Sequence, residues 1–300
     1  MTASPPPSAP FEPRLHRLRK RRARGGFADA AFLHARVAAD LADRLAAIPR
    51  QFARALALGG GGLFSAEVEA RPDLMARIGQ IVEADVAGSA VEIDLERLPF
   101  ADSAFDLIVS PLTLHWVNDL PGVLIQLRRM LKPDGLLLAS LFGGDTLTEL
   151  RLSLIEAESE ITGGAGPRVA PFATLQDLAG LLQRAGYALP AADRDVVTVR
   201  YGDPLRLLSD LRGMGETSAL AQRSARGLNR RILARTFEIY RQRFSDDEGR
   251  AKATFEILTA TGWAPHESQQ KPLRPGSAKT RLADALGVPE QSAGEKPDGS

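Results

Sequence analysis

The sequence contains no cysteine and few aromatic residues, with two tryptophans and three tyrosines among 300 residues. The lack of cysteine excludes disulfide bonds, thiolate zinc sites, iron–sulfur clusters and a cysteine nucleophile. No apolar run approaches the roughly 20 residues that span a bilayer. The opening residues MTASPPPSAP have no hydrophobic signal core either. We therefore expect neither a membrane span nor a secretory signal.

Charge is almost balanced over the chain, since 38 basic residues accompany 37 acidic ones. No overall field therefore favours nucleic acid as a partner. The run RLHRLRKRRARGG, residues 14–26, is an exception because it is rich in arginine and has no acid. It predicts a solvated helical face, with an anionic partner or peripheral membrane association as the alternative. Together with the proline-rich start, it predicts a disordered N-terminal segment over residues 1–26.

The first half of the chain alternates strands and helices in a way that predicts a doubly wound parallel sheet. A helix over 28–48 precedes a strand at about 53–58, and further strands end near Asp85 and in AVEIDLERLPF. The unbroken apolar run FDLIVSPLTLHWV is typical of a strand buried on both faces. DLPGVLIQLRRML then predicts an amphipathic helix, and LLLASLF predicts the strand that follows it.

The second half is predicted to be more helical, with helices over 146–160 and 174–185 and a strand over 194–201. A helical insertion at about 204–247 precedes the last strand, in ATFEILTATGW. It is too late and too long for an ordinary crossover, so we expect a lid over the carboxyl end of the sheet. One domain is predicted over 27–268, followed by a tail over 269–300 whose last dozen residues are disordered.

Four consecutive glycines, Gly59 to Gly62, follow the first predicted strand. Glycine leaves room for backbone N–H groups to approach a nucleotide-like ligand, so this loop is a candidate cofactor site. A flexible turn without a ligand is an equally good interpretation of the loop alone. The pattern is not a phosphate-cradling G-x-x-x-x-G-K-[ST], and it satisfies the nicotinamide fingerprint only loosely.

Carboxylates follow two of the neighbouring strands. Because ligands bind beyond the carboxyl ends of parallel strands, Glu83 or Asp85 is placed to accept hydrogen bonds from ribose hydroxyls. Asp94 could accept from an adenine amino group, and Leu95 could cover the ring. The alternative for the three carboxylates is a solvated strand end or loop.

The segment LHWVND places His115 and Asp119 four residues apart. A metal pair is conceivable, but a catalytic metal needs a third ligand and none is nearby, so no metal is predicted. No G-x-S-x-G elbow is present, which argues against a serine hydrolase. His115 and Trp116 either pack at a strand end or line a substrate pocket.

The run LPFADSAFDLIVSPLTLHWVNDLPGVLIQLRRMLKPDGLLLASLFGGDTLTELR, residues 98–151, resembles class I S-adenosylmethionine-dependent methyltransferases. The strings LHWVNDLP and GGDTLTELR, with the later DLRGMGE, HESQ and RPGSA, resemble the methyltransferase-like complex I assembly factors known as protein arginine hydroxylases. This similarity covers roughly residues 27–287. The malonyl-carrier-protein methyltransferases of biotin synthesis share the overall order but lack the full GGDTL and HESQ signatures.

The resemblance implies a Rossmann-like, seven-stranded, mostly parallel sheet with a helical lid before the last strand. It also implies S-adenosylmethionine as the cofactor, and it assigns parts of that molecule to residues of this chain. Gly59 and Gly61 would approach the methionine part, Glu83 or Asp85 the ribose, Asp94 and Leu95 the adenine, and Ser110 to His115 the reaction side.

One position departs from the family pattern, because Ala57 stands where members normally carry Asp or Glu. Losing a charge-assisted contact to the methionine amino group costs about 1.5 to 3 kcal/mol, or about ten- to a hundredfold in affinity. We therefore expect a weakened cofactor site rather than an abolished one.

The family implies an enzyme that modifies an arginine of a respiratory complex I subunit, by methyl transfer or hydroxylation. An arginine-bearing peptide would favour acids in the cleft, so Asp119, Asp145 and Glu149 join His115 as substrate-side candidates. The alternatives are an assembly scaffold with a degraded cofactor site, or a carboxyl methyltransferase for an acyl carrier. The expected location is the bacterial cytoplasm, with the inner face of the inner membrane as an option, or the mitochondrial matrix of a eukaryote.

Overall fold

The structure is a computed structural model that describes residues 9–223 and 228–269. Of these residues, 9–223 and 228–265 belong to one compact unit, and 266–269 belong to a second. In the described residues the strands are β1 Phe52–Leu58, β2 Ile78–Asp85, β3 Val91–Glu92, β4 Phe105–Pro111, β5 Leu131–Phe142, β6 Ala188–Tyr201 and β7 Ala251–Trp263. The α-helices are α1 Pro13–Ala23, α2 Phe27–Ala30, α3 Phe32–Ala46, α4 Leu63–Glu69, α5 Pro72–Met75, α6 Leu120–Met130, α7 Thr148–Thr162, α8 Leu175–Arg184, α9 Pro204–Gly213 and α10 Arg230–Phe244.

All seven strands form one sheet in the order β3-β2-β1-β4-β5-β7-β6. The pairs from β3 to β5 are parallel, whereas β7 runs antiparallel to both β5 and β6. The strand order reverses between β1 and β4, so the switch point where such sheets bind ligands lies at the carboxyl ends of these two strands. This confirms the predicted Rossmann-like, seven-stranded, mostly parallel sheet.

The core lies in two layers, one on each face of the sheet. Along β4, Leu107 and Val109 face the layer that contains α3, and Ile108 faces the layer that contains α6 and α8. This alternation explains why FDLIVSP is apolar at nearly every position: both faces of the strand are covered by helices. The carboxyl edge of β4 is thereby held between β1 and β5.

The N-terminal segment differs from the sequence-based expectation. Residues 13–23, which were predicted to be disordered, form α1, and a short 3₁₀ turn at Arg24–Gly26 follows. His16, Lys20 and Ala23 recur at helical spacing on the inner face of α1; His16 and Ala23 are buried and the Lys20 side chain is 8% exposed. The arginines of the run occupy the remaining positions. A solvated basic face is therefore correct for only part of this helix.

The predicted helical lid is two separate helices in the structure. The first, α9, packs on α1, α2 and β6. The second, α10, packs on α7 and β7 through Ile232 and Ile239, which contact Ala157. In the described residues, no helix combines the length and the apolar character needed to cross a membrane. Most of the predicted tail, residues 270–300, lies outside the described part of the chain.

Candidate active site

The glycine loop lies at the switch point of the sheet. All four glycines have positive φ, from 62° at Gly61 to 82° at Gly62, which L side chains rarely adopt. A Cβ added at Gly59 would lie 1.8 Å from Thr113 Oγ1, just beyond β4. The loop therefore crosses the end of β4 in direct contact with it, and only glycine fits this path.

Two carboxylates at the end of β2 lie next to this loop. The Glu83 Oε1 atom would be 3.4 Å from a Cβ at Gly62. Glu83 is also the register partner of Ala57 on β1, so the two side chains point to the same face. The carboxylate that the family places at Ala57 thus has a counterpart one strand away.

Asp85 is buried and accepts a hydrogen bond from the Val86 N–H, at 2.6 Å. Burial raises the pKa of this carboxyl group, and the positive charge of Lys20 opposes the shift. The predicted adenine residues follow the next strand, where Asp94 is exposed and accepts from the Glu96 N–H. Leu95 is buried in the apolar layer that includes Val117.

A buried polar cluster lies where β4 ends, around Glu216. His115 Nε2 and Trp116 Nε1 lie 2.9 and 2.6 Å from Glu216 Oε2. Lys20 Nζ donates to Glu216 Oε1 at 2.8 Å, and His34 Nε2 is 3.4 Å from the same oxygen. We name these five residues the Glu216 cluster. It brings together side chains from the N-terminal helices, the β4 turn and the segment after α9.

The Glu216 cluster contains one charged pair, Glu216 and Lys20, and two neutral histidines. Burial raises the pKa of Glu216, but the charge of Lys20 and the hydrogen bond from His115 outweigh it, and the pKa falls well below its usual range. Burial opposes the charge of Lys20 as well, yet Glu216 raises its pKa above the ordinary value. Burial lowers the pKa of both His34 and His115. Glu216 and Lys20 are therefore charged at neutral pH, and the imidazoles are not.

The neutral His115 ring has a defined tautomer. Since the Glu216 carboxylate can only accept, the proton of His115 is on Nε2, and Nδ1 carries a lone pair. Nδ1 is buried and has no hydrogen-bond partner in the described residues. A histidine oriented by a carboxylate, with its other nitrogen unprotonated, is the arrangement of a general base. His115 also lines a cavity of about 320 Å³ with Phe172 and Leu114, which gives a substrate a place beside the ring.

Comparison with known proteins is consistent with this architecture. The methyltransferase domain family matches residues 49–139, from three residues before β1 to within β5. The human protein named mitochondrial arginine-hydroxylase NDUFAF5 is 40% identical over 266 residues, which cover 84% of this chain and 76% of that protein. Its zebrafish counterpart is 38% identical over 262 residues, covering 84% and 81%. This chain belongs to the NDUFAF5 family.

A second group of relatives is more distant. The malonyl-[acyl-carrier protein] O-methyltransferase of Xylella fastidiosa is 37% identical over 172 residues, covering 57% of this chain and 56% of that protein. Similarity to the NDUFAF5 proteins extends over more of the chain, as the sequence strings predicted.

The predicted substrate-side acids of this NDUFAF5 family member have structural partners. Asp119 caps α6 by accepting from the Gly122 N–H at 2.9 Å. Asp145 lies 3.7 Å from Arg194 on β6, and Glu149 accepts from the Thr254 N–H on β7. Each of the three acids is thus held against an element that contributes no residue to the Glu216 cluster. Their role toward a substrate stays a prediction, whereas His115 lies at the cluster itself.

Three members of the Glu216 cluster, namely Lys20, His34 and Glu216, were not predicted from the sequence. Glu216 lies in DLRGMGE, a string that supported the family resemblance, but its partner Lys20 is 196 residues away. A lone lysine among arginines, four residues after His16, is the one local signal. Ser110, predicted on the reaction side, is buried, and within the described chain its hydroxyl has no partner.

The buried histidines predict a pH-dependent stability. Burial lowers the pKa of His16 from 6.5 to about 3, and burial also lowers those of His34 and His115. Below about pH 6.5 the unfolded chain binds protons that the folded chain does not, so stability is complete above that pH and is lost as the pH falls. Each histidine contributes at most about 1.4 kcal/mol per pH unit.

Urea unfolding at several pH values between about 7.5 and 5.5 measures this loss. His266→Gln, at an exposed position, is the matched control for the loss of a histidine. His34→Gln should make the slope shallower. A free energy of unfolding that stays constant down to pH 5.5 would contradict the burial of three neutral imidazoles.

Proposed function

We propose that this protein binds S-adenosylmethionine at the glycine loop and modifies an arginine side chain of a protein. A subunit of respiratory complex I is the proposed substrate, by methyl transfer or hydroxylation. The observation that carries the cofactor proposal is the loop itself, with four left-handed glycines at the switch point and Glu83 beside Gly62. Membership in the NDUFAF5 family supports the arginine, since the relatives are named for that residue.

The residues around the loop fit S-adenosylmethionine in chemical type. The Glu83 carboxylate and the buried Asp85 carboxylate at the strand end are acceptors for an amino group or a sugar diol. Asp94 and Leu95 supply an exposed acceptor and an apolar surface further along the same edge. When bound, the cofactor supplies a methyl group activated by a sulfonium.

The protein's own part in the reaction is to position the acceptor and receive its proton. His115 Nδ1 accepts a proton from the substrate nitrogen, and Glu216 holds the proton on Nε2 so that Nδ1 stays available. The ring centroids of Phe142 and Phe172 lie 4.7 and 5.3 Å from that of His115, so aromatic side chains surround this imidazole. Positioning of this kind supplies most of the rate when the donor is already activated.

Calorimetric titration with S-adenosylmethionine tests the cofactor proposal. Glu83→Gln should weaken binding by about ten- to a hundredfold, because a charge-assisted hydrogen bond contributes about 1.5 to 3 kcal/mol. Glu69→Gln is the matched control, since Glu69 is exposed at the end of α4. No heat of binding to the wild-type protein at millimolar ligand would contradict the proposal and favour the assembly scaffold.

Mass spectrometry of complex I subunits from cells with and without the gene tests the reaction. Loss of one methylene mass from an arginine indicates methyl transfer, and loss of one oxygen mass indicates hydroxylation. An unchanged set of arginines would contradict the substrate proposal.

A second candidate is methylation of an acyl-carrier carboxyl group. The cavity beside His115 favours it, because apolar side chains of Val117, Leu120 and Leu141 line it together with the basic Arg184. Methyl ester formation on malonyl-carrier protein, assayed with the purified chain, distinguishes this activity from arginine modification.

A further inference from the structure

The ion pair at the centre of the Glu216 cluster is unusual because its cation comes from a surface helix. Lysine is almost never fully buried in proteins. Yet the Lys20 side chain is only 8% exposed, and its partner Glu216 is 2% exposed. The rest of α1 carries mostly exposed arginines. Helix α1 therefore delivers one positive charge to the edge of the sheet where the reaction takes place.

The side chains around Glu216 form an environment that is suited to binding a cation. Its Oε2 atom is occupied by donors from the β4 turn, His115 and Trp116, whereas its Oε1 atom faces Lys20. The Lys20 Nζ atom lies over the Phe27 ring, 5.9 Å from the ring centroid. A carboxylate with aromatic neighbours binds guanidinium or ammonium groups through charge-assisted hydrogen bonds and cation–π attraction.

Helix α1 is held by buried side chains at its inner face and by exposed ion pairs at its outer face. Its outer contacts, such as Arg21 with Glu92, are exposed ion pairs, which contribute little to stability. Gly25 and Gly26 lie in the 3₁₀ turn after the helix, and a Cβ at either would meet nothing within 4 Å, so this turn is the place where the backbone can bend as a hinge. At its inner face, a Cβ on Gly215 would lie 3.0 Å from Lys20 Cδ, so a glycine is needed for this close approach.

We propose that Glu216 receives the cationic side chain of the protein substrate, and that Lys20 on α1 occupies this place until the substrate arrives. The substrate guanidinium would replace the Lys20 ammonium at Oε1, in reach of His115, and α1 would swing away on its glycine hinge. This inference rests on the proposed function and names the residue that recognises the arginine. It also explains why a buried lysine lies where a substrate cation is expected.

Binding of a small cationic probe to a Lys20→Ala variant tests the proposal. The probe is Nα-acetyl-arginine amide, and its citrulline analogue, which has the same shape without the charge, is the control ligand. Because the internal competitor is gone, Lys20→Ala should bind the arginine probe at least about tenfold more tightly than the wild type. The probe should also raise the melting temperature of this variant, since a ligand of the folded state stabilises it.

The double variant Lys20→Ala with Glu216→Gln is the decisive comparison. It should bind neither ligand, because the receiving carboxylate is gone. The proposal is wrong if Lys20→Ala binds the arginine probe no better than the wild type, if the double variant retains the affinity, or if citrulline binds equally well. None of these assays contains S-adenosylmethionine, so their failure leaves the calorimetric test of the cofactor site unaffected.

A second measurement serves if Lys20→Ala does not fold. The chain has no cysteine, so Leu18→Cys, at an exposed position of α1, gives a single attachment site for a spin label. In this background an arginine-containing peptide should increase the mobility of the label, and the citrulline peptide should not. A label that responds to neither peptide, or equally to both, overturns the displacement of α1.

Discussion

Replacing Glu216 with glutamine is expected to lower the free energy of unfolding by about 3 to 5 kcal/mol, because removal of one partner leaves a buried charge without compensation. The charge is that of Lys20, whose Nζ lies 2.8 Å from the carboxylate. Glutamine has nearly the shape of glutamate, so packing stays almost the same and the loss reports the charge. Urea unfolding at neutral pH measures it.

The matched control for this change is Glu238→Gln on α10. The Glu238 side chain is 59% exposed and its pairing with Arg235 is a surface ion pair, so its removal should cost no more than about 0.5 kcal/mol. Adding Lys20→Met to Glu216→Gln should recover part of the stability, since the uncompensated charge is then gone as well. Equal losses in Glu216→Gln and the control would show that the buried ion pair does not exist in solution.

Replacing Gly59 with alanine is expected to destabilise the protein by about 2 to 5 kcal/mol, from about 1 to 2 kcal/mol of left-handed strain and about 1 to 3 kcal/mol of overpacking. The φ angle is 80°, and the new Cβ would lie 1.8 Å from Thr113 Oγ1. The loop must then move away from the end of β4. We expect S-adenosylmethionine binding to be lost even at temperatures where the variant stays folded.

Gly180→Ala is the control for the same chemical change. Gly180 lies inside α8, and a Cβ there meets nothing within 4 Å. Alanine is the better helix former, so this variant should be more stable than the wild type by about 0.5 to 1 kcal/mol. Urea unfolding and calorimetry on both variants make the comparison. A Gly59→Ala protein with wild-type stability and cofactor affinity would contradict the loop geometry.

The sheet could be predicted from the sequence because its central strands have local signals. The β4 run FDLIVSP is apolar on both faces, and the glycines after β1 mark a turn. The edge strand β6 begins at Ala188, six residues before the prediction. Its first half contains Pro190 and three alanines, which have low strand propensity. Proline has no backbone N–H to donate, and it is tolerated here because β6 is an edge strand with no neighbour on one side.

The site was predictable only where its residues follow strands. The position of Glu83 and Asp85 at the end of β2 could be predicted because the carboxyl ends of parallel strands share one edge, and their role toward a cofactor stays a proposal. Lys20 was not, because burial of a helix face in an arginine-rich segment depends on Glu216, which is distant in sequence. The burial of that face also explains why the disorder prediction for residues 1–26 was wrong over α1: composition describes the outer face of the helix and not its contacts.

The position of β7 has a consequence for how the chain is made. This strand lies between β5 and β6, yet it is the last of the seven along the chain. Until residues 251–263 have left the ribosome, one edge of β5 and one edge of β6 have no partner. Unpaired strand edges are sites of aggregation. The nascent protein therefore carries two such edges while residues 202–263 are made, and we expect chains that stop after β6 and before Ala251 to need a chaperone to stay dispersed.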